Sequence, residues 1–145
     1  MKTIEEKLAV KIIPEILDEV RACTTKEEMR DVLLANQSPA FRQMIQYVFY
    51  PTVQFTITEL PKFTPDPGPI GLSPNSLFSE MRRLYTLLEA TKLPIAKKSE
   101  ILVGICESVH PSEAALLGLI IQRDLGIPLF NYDNVREIFP DLLPA

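Results

Sequence analysis

Apolar side chains recur at helical spacing along most of this chain. Near the start they return every four residues, at Ile4, Leu8, Ile12, Ile16 and Val20. Spacings of three and four residues place side chains on one face of an α-helix, where they can bury against a neighbour. The pattern predicts an all-α fold, a compact helical bundle of about six or seven helices.

Polar residues followed by proline mark several predicted helix starts. Proline is tolerated in the first turn of a helix, because the N–H that it lacks has no helical partner there. Ser38-Pro39 and Ser73-Pro74 fit this signal with serine as N-cap, and Pro14 fits it as a first-turn residue. Thr25 and Glu28 form a predicted capping box, which starts a helix running to about residue 36.

Two segments in the second half of the chain carry the most apolar helical faces. The first is predicted over residues 77–90, and its core face consists of Leu77, Phe78, Met81, Leu84, Tyr85 and Leu88. The second follows His110, a predicted N-cap or turn residue, and is apolar nearly all round, so it should lie at the centre of the bundle. We expect Gly126 to cap its end after Arg123-Asp124-Leu125, and a final helix at about residues 132–139.

The helical spacing fails in the middle of the chain. Val53, Phe55 and Ile57 alternate with polar residues, which predicts a short extended segment. Residues 61–74 contain five prolines and two glycines, so they cannot be helical. We expect this stretch to be an ordered crossover loop packed on the bundle, within one domain that spans residues 1–145.

Composition narrows the class of protein. Hydrophobic residues make up 46% of the 145 residues and charged residues 23%, which is typical of a folded globular domain. No apolar run approaches the roughly 20 residues that span a bilayer, and Glu5 and Glu6 do not suit a signal peptide. No membrane partner is expected. Cys23 and Cys106 are predicted to be reduced core thiols.

Motifs for catalysis and cofactor binding are not found in the sequence. The five glycines are scattered, so no glycine-rich loop is available to hold a phosphate. One histidine and two distant cysteines do not suit a zinc site, and no nucleophile signature accompanies His110. We therefore expect no enzymatic activity, no metal and no small-molecule cofactor.

Positive charge is concentrated between residues 82 and 98. This stretch contains a single anion, Glu89, and five cations, which are Arg82, Arg83, Lys92, Lys97 and Lys98. They fit either a solvated helix face or a patch that contacts phosphates. The turn at residues 91–98 is the best phosphate candidate, because lysines and the N–H groups opening the next helix would meet there. Arg123 is a further candidate for DNA binding, or else a structural ion-pair partner of Asp124.

A series of short motifs runs through the chain in a fixed order. They are Lys11-Ile12-Ile13-Pro14-Glu15-Ile16, Thr24-Thr25-Lys26, Val53-Gln54-Phe55-Thr56-Ile57, Leu60-Pro61-Lys62, the helix at residues 77–90 with Thr91-Lys92-Leu93, Arg123-Asp124-Leu125 and residues 134–144. Together they resemble the helical N-terminal DNA-binding domain of viral ATP-dependent DNA ligases. The resemblance implies a domain that grips duplex backbone across the minor groove through helix ends and turns. The Lys-X-Asp-Gly motif that a ligase needs for its nucleotide adduct is missing from the sequence.

One turn departs from the ligase pattern in a way that suggests a different partner. The ligase turn after Arg-Asp-Leu usually carries a Cys-Gly-X-Ser-like run, but here Gly126 is followed by apolar residues and a proline. The candidate protein-interaction residues are accordingly Ile127, Pro128, Leu129 and Phe130.

A second set of motifs is more specific. It comprises Asn36-Gln37-Ser38-Pro39-Ala40, the proline-rich middle, Pro74 to Phe78, residues 107–114 and the Phe139-Pro140-X-Leu ending. These motifs are similar to those of small proteins of T4-like tailed phages. The resemblance implies a phage accessory protein, in the host cytoplasm during infection or associated with the virion, and it indicates no particular activity.

Two functions are compatible with these patterns. The first is binding of the duplex DNA backbone without sequence preference. The second is a protein-interaction module that has lost DNA binding, such as a phage adaptor, a virion component or an inhibitor of a host protein. The basic cluster and the ligase resemblance favour the first. The net charge of −4 favours the second, because it gives the whole molecule no attraction to DNA.

Overall fold

Helices make up most of the part of the chain that the computed structural model describes, residues 11–65, 73 and 75–144. The α-helices are α1 (Ile13–Ala22), α2 (Lys26–Ala35), α3 (Pro39–Phe49), α4 (Leu77–Glu80), α5 (Ile95–Ser108), α6 (Pro111–Gln122) and α7 (Tyr132–Ile138), with a 3-10 helix (Met81–Leu87) after α4. These residues form no strand. The predicted all-α fold is confirmed. Ile4, Leu8, residues 66–72 and Pro74 lie outside the described residues.

Helix α6 lies at the centre of the bundle, as its apolar sequence predicts. It packs against α1, α3 and α5, and Leu117 and Ile120 are fully buried. Gly118 lets the chain after the extended segment approach closely, since a Cβ there would lie 3.0 Å from Cδ1 of Leu60. The core therefore forms around α6.

Three predicted helix starts are confirmed by their side-chain caps. The Thr25 hydroxyl accepts a hydrogen bond from the N–H of Glu28 at 3.2 Å, and the Ser38 hydroxyl accepts one from Phe41 at 3.2 Å. His110 caps α6 through Nδ1, which accepts from the N–H of Ser112 at 3.1 Å. Each signal works because donor and acceptor are two or three residues apart.

Helix α4 begins at Leu77, later than its predicted N-cap at Ser73. Its N-cap is Ser76, whose hydroxyl accepts from the N–H of Ser79. The carboxylate of Glu113 on α6 accepts a second hydrogen bond here, from the N–H of Leu77 at 2.8 Å. The start of α4 is thus set partly by a distant helix.

The predicted helix at residues 77–90 changes its period after one turn. From Met81 the chain is a 3-10 helix with three residues per turn, so that Met81, Leu84 and Leu87 are eclipsed on one face, and all three are buried. Tyr85, predicted to face the core, is 58% exposed. The prediction assumed a period of 3.6 and was wrong for Tyr85.

The extended segment pairs with the end of the 3-10 helix. Phe55 and Leu88 form an isolated antiparallel bridge. The N–H of Thr56 donates to the Leu87 carbonyl at 3.2 Å, and the N–H of Glu89 donates to the Gln54 carbonyl at 2.8 Å. This pairing fixes the end of the 3-10 helix against residues 54–56.

The end of α6 also differs from the prediction. Arg123, not Gly126, is its C-cap, and it adopts a left-handed backbone with φ of 60°. Gly126, with φ of 70°, lies in the turn that follows, where its N–H donates to the Asp124 carboxylate at 2.9 Å. A non-glycine residue with positive φ is uncommon.

Candidate basic surface

Four of the predicted DNA-binding residues are exposed on adjoining segments. Arg82 and Arg83 lie on the 3-10 helix, Lys92 in the turn that follows, and Lys97 in the first turn of α5. The 3-10 helix and α5 pack against each other. We call these four residues the basic surface.

The four cations differ in how far their charge is compensated. Arg83 pairs with the carboxylate of Glu80, N to O 2.9 Å, and Lys97 pairs with Glu100 at 3.5 Å. Arg82 and Lys92 form no salt bridge with any described residue. Arg82 and Lys92 are therefore the cations most available to an anion.

Lys98 does not belong to this surface. Its side chain is 2% exposed, and its ammonium donates to Oγ1 of Thr56 at 2.8 Å, to the Leu88 carbonyl at 2.7 Å and to the Thr91 carbonyl at 3.2 Å. This position corrects the prediction that Lys98 contacts a phosphate. Lys98 instead joins the extended segment, the end of the 3-10 helix and the turn after it.

Arg123 also has a role inside the fold. Its guanidinium donates to four backbone carbonyls at the end of α3 and just beyond, those of Tyr47, Val48, Tyr50 and Val53. The last carbonyls of a helix have no partner within it, so Arg123 satisfies the Tyr47 and Val48 carbonyls at the end of α3. This corrects both expectations for Arg123, a phosphate contact and an ion pair with Asp124.

The predicted protein-interaction turn is largely buried. Ile127 and Phe130 belong to the core, and the Phe130 ring meets the Phe49 ring edge-on at 5.3 Å between centroids. Leu129 is half-buried, and Pro128 is exposed. The turn borders an open surface pocket of about 430 Å³. The four residues therefore do not form the exposed apolar patch that their sequence suggests.

Exposed apolar side chains lie elsewhere, among the cations. Tyr85 on the 3-10 helix, Leu93 in the turn and Ile95 at the start of α5 are 58%, 38% and 65% exposed. Leu93 and Ile95 lie between Lys92 and Lys97 in the sequence, and this position between two cations is a signal that could have identified them. No sequence signal marks Tyr85, because its exposure depends on the 3-10 period.

Helix α5 begins without a side-chain cap. Its N-cap is Pro94, and its first turn contains no acidic residue. The other six described α-helices each start with a side chain that bonds a backbone N–H. The N-terminus of a helix carries partial positive charge and unpaired N–H groups. At α5 this charge adds to that of Lys92 and Lys97.

Other reactive groups are dispersed through the described chain. Its one histidine, its cysteines and its carboxylates form no group of three or more that could hold a metal ion. Cys106 is buried, and burial raises the pKa of its thiol to about 11. Glu113 is buried as well, which raises the pKa of its carboxyl. None of the described helices is long and apolar enough to cross a bilayer.

Comparison with known proteins adds no family to this picture. No protein-family model matches the chain, and no curated protein matches it significantly. The resemblances to the ligase domain and to the phage proteins rest on the sequence motifs alone and stay predictions.

Proposed function

We propose that this is a non-catalytic phage accessory protein that binds the backbone of duplex DNA without sequence preference, through the basic surface. The observation that carries the proposal is the position of exposed Lys92 and Lys97 at the uncapped start of α5, with exposed Arg82 on the 3-10 helix that packs against α5. Side-chain cations and helix N-termini both favour phosphate oxygens, and neither reads the base sequence.

The small number of available cations predicts weak, salt-sensitive binding of DNA. Each phosphate contact contributes about −0.9 to the slope of log affinity against log salt concentration. Two contacts, from Arg82 and Lys92, give a slope of about −2, and four give about −4. The net charge of −4 supplies no long-range attraction, so all affinity has to come from this local surface.

A pair of matched double variants tests the proposal. Arg82→Glu with Lys92→Glu reverses the two unpaired cations, whereas Lys26→Glu with Arg30→Glu makes the same charge change on the exposed face of α2. Fluorescence anisotropy with labelled duplex at low salt should show about tenfold or greater loss for the first variant only. Equal loss in both variants, or no binding by the wild-type protein to intact, nicked or gapped duplex, would end the proposal.

A protein partner is the second candidate, and the exposed Tyr85, Leu93 and Ile95 favour it. Aromatic residues and arginine are enriched at protein interfaces, so a phage or host protein with an acidic surface would fit. A pull-down from infected cells with and without nuclease separates the two functions. Nuclease-resistant capture that is lost in Tyr85→Ala with Ile95→Ala, but kept in the exposed control Leu34→Ala, would favour the protein partner.

The non-catalytic part of the proposal has its own test. Nucleotide transfer by a ligase needs a lysine nucleophile in a Lys-X-Asp-Gly motif, which the sequence lacks. We expect no adenylate adduct and no nick sealing. Radiolabel from ATP that stays on the denatured protein would contradict this part alone.

A further inference from the structure

The Tyr85 ring is exposed and makes no aromatic contact within the described part of the chain. Tyr47, by contrast, is 6% exposed and packs its ring against that of Phe55 at 5.8 Å between centroids. The Tyr85 hydroxyl forms no hydrogen bond with a described residue, and its ring contacts no other described ring. Burial is a tyrosine's usual means of stabilising a fold, and this ring contributes little in that way.

Arg82 lies next to Tyr85 on the surface of the 3-10 helix. Residues three apart eclipse each other in a 3-10 helix, with a separation of about 6 Å along the axis. The two side chains therefore lie on the same face of the 3-10 helix, one turn apart. The guanidinium of Arg82 pairs with no carboxylate in the described chain, so an aromatic face and a free cation stand side by side.

The backbone from Tyr85 to Thr91 is held by several hydrogen bonds. The Tyr85 carbonyl accepts from the N–H of Leu88 at 3.2 Å, and the Thr86 carbonyl accepts from the Thr91 hydroxyl at 2.9 Å. The Lys98 ammonium donates to the Leu88 and Thr91 carbonyls. A backbone that is already ordered limits the entropy lost on binding to that of the side chain itself.

We infer that Tyr85 is a stacking surface for an unpaired base, and that the basic surface prefers DNA with a single-stranded gap or overhang to intact duplex. This inference rests on the proposed function and names the form of DNA. A paired base is stacked inside the duplex and offers no face to a protein ring, whereas an unpaired base does. Arg82 takes the neighbouring phosphate, and Leu93 and Ile95 are exposed in the turn and the helix start that follow the 3-10 helix.

Three DNA probes and two variants of Tyr85 test the inference. The probes are an intact duplex, the same duplex with a short single-stranded gap, and the gapped duplex with 2-aminopurine in the gap. Wild-type protein should bind the gapped probe about tenfold more tightly than the intact one, a difference of about 1.4 kcal/mol. It should also quench 2-aminopurine, because stacking changes the fluorescence of that base.

Tyr85→Ala should abolish the preference and the quenching while leaving binding of the intact duplex unchanged. Tyr85→Phe should retain both, since the ring and not the hydroxyl makes the contact. Both variants should fold, because the ring is exposed; their melting temperatures verify this. A wild-type preference that survives in Tyr85→Ala, or equal binding of gapped and intact duplex, would overturn the inference and leave the proposed function standing.

Two other outcomes separate the inference from the proposed function. Binding of gapped DNA without any binding of intact duplex would overturn the duplex proposal and support the stacking role of Tyr85. No binding of any probe, together with a protein partner whose capture depends on Tyr85, would overturn both and assign the ring to a protein interface.

Discussion

Replacing Lys98 by methionine should destabilise the protein markedly, although lysine is usually a surface residue. Methionine keeps the length of the apolar stem and removes only the ammonium group. In the wild-type protein that group donates to Thr56, Leu88 and Thr91, which belong to three separate segments. The substitution therefore removes a cross-link without opening a large cavity.

The magnitude follows from which acceptors lose their last partner. The Leu88 carbonyl keeps the N–H of Thr91 as a donor, at 3.1 Å. Oγ1 of Thr56 and the Thr91 carbonyl have no other described donor. Leaving a buried acceptor unsatisfied costs about 1–3 kcal/mol. Both groups are partly buried, so we expect a loss of about 2–4 kcal/mol in the free energy of unfolding.

Urea denaturation and thermal melting measure this loss, and Lys97→Met is the matched control. Lys97 is the neighbouring residue on the same helix, exposed, with one weak ion pair to Glu100. Its replacement should cost no more than about 0.5 kcal/mol. For a chain of this size, about 3 °C of melting temperature per kcal/mol corresponds to a drop of roughly 6–12 °C for Lys98→Met.

Equal, small effects of the two substitutions would refute the reasoning. They would mean that the Lys98 ammonium is not held by these three acceptors, and that Lys98 belongs with the exposed cations after all. In that case Lys98 would be added to the basic surface as a candidate phosphate contact.

Three further predictions concern the core and its titratable groups. Leu117→Ala should cost about 2–5 kcal/mol in urea denaturation, while the exposed Leu34→Ala should stay within about 0.5 kcal/mol; similar values would mean that α6 is not central. At mildly alkaline pH a thiol reagent should label half-buried Cys23 and should reach Cys106 only after denaturation, because burial raises the pKa of the Cys106 thiol to about 11; native labelling of Cys106 would contradict this. Burial also raises the pKa of Glu113 above its ordinary 4.5, so its contribution to stability is greatest below about pH 4.5 and is lost as pH rises through the pKa of the folded state. Unfolding free energies of wild type and Glu113→Gln across this range should therefore diverge, with the wild type losing more; a wild type that gains relative to the variant would reverse the sign of the argument.

The sequence by itself determined most of the helices and three of their side-chain caps. The caps at Thr25, Ser38 and His110 bond backbone groups two or three residues away, so the information lies within one turn. The same holds for the central position of α6, because a helix that is apolar nearly all round has to be surrounded by others. Local bonds and a repeating apolar face need no knowledge of distant residues.

Part of the basic surface was also readable from the sequence, but its limits were not. Lys98 lies one helical turn before Leu102 and two before Ile105, both buried on the face of α5 that it shares. That spacing places Lys98 on the inner face, and the basic run around it conceals the signal. What the sequence does not contain is the set of acceptors that makes a buried ammonium tolerable.

The tertiary structure decided the positions of Lys98, Arg123 and Tyr85. The acceptors of Arg123 lie 70 to 76 residues earlier in the chain, and Thr56 lies 42 residues before Lys98. Tyr85 is exposed because the chain continues as a 3-10 helix whose end pairs with Phe55. A long polar side chain can face solvent or the interior with little change in local geometry, and only the partners that folding brings near it decide which state has the lower free energy.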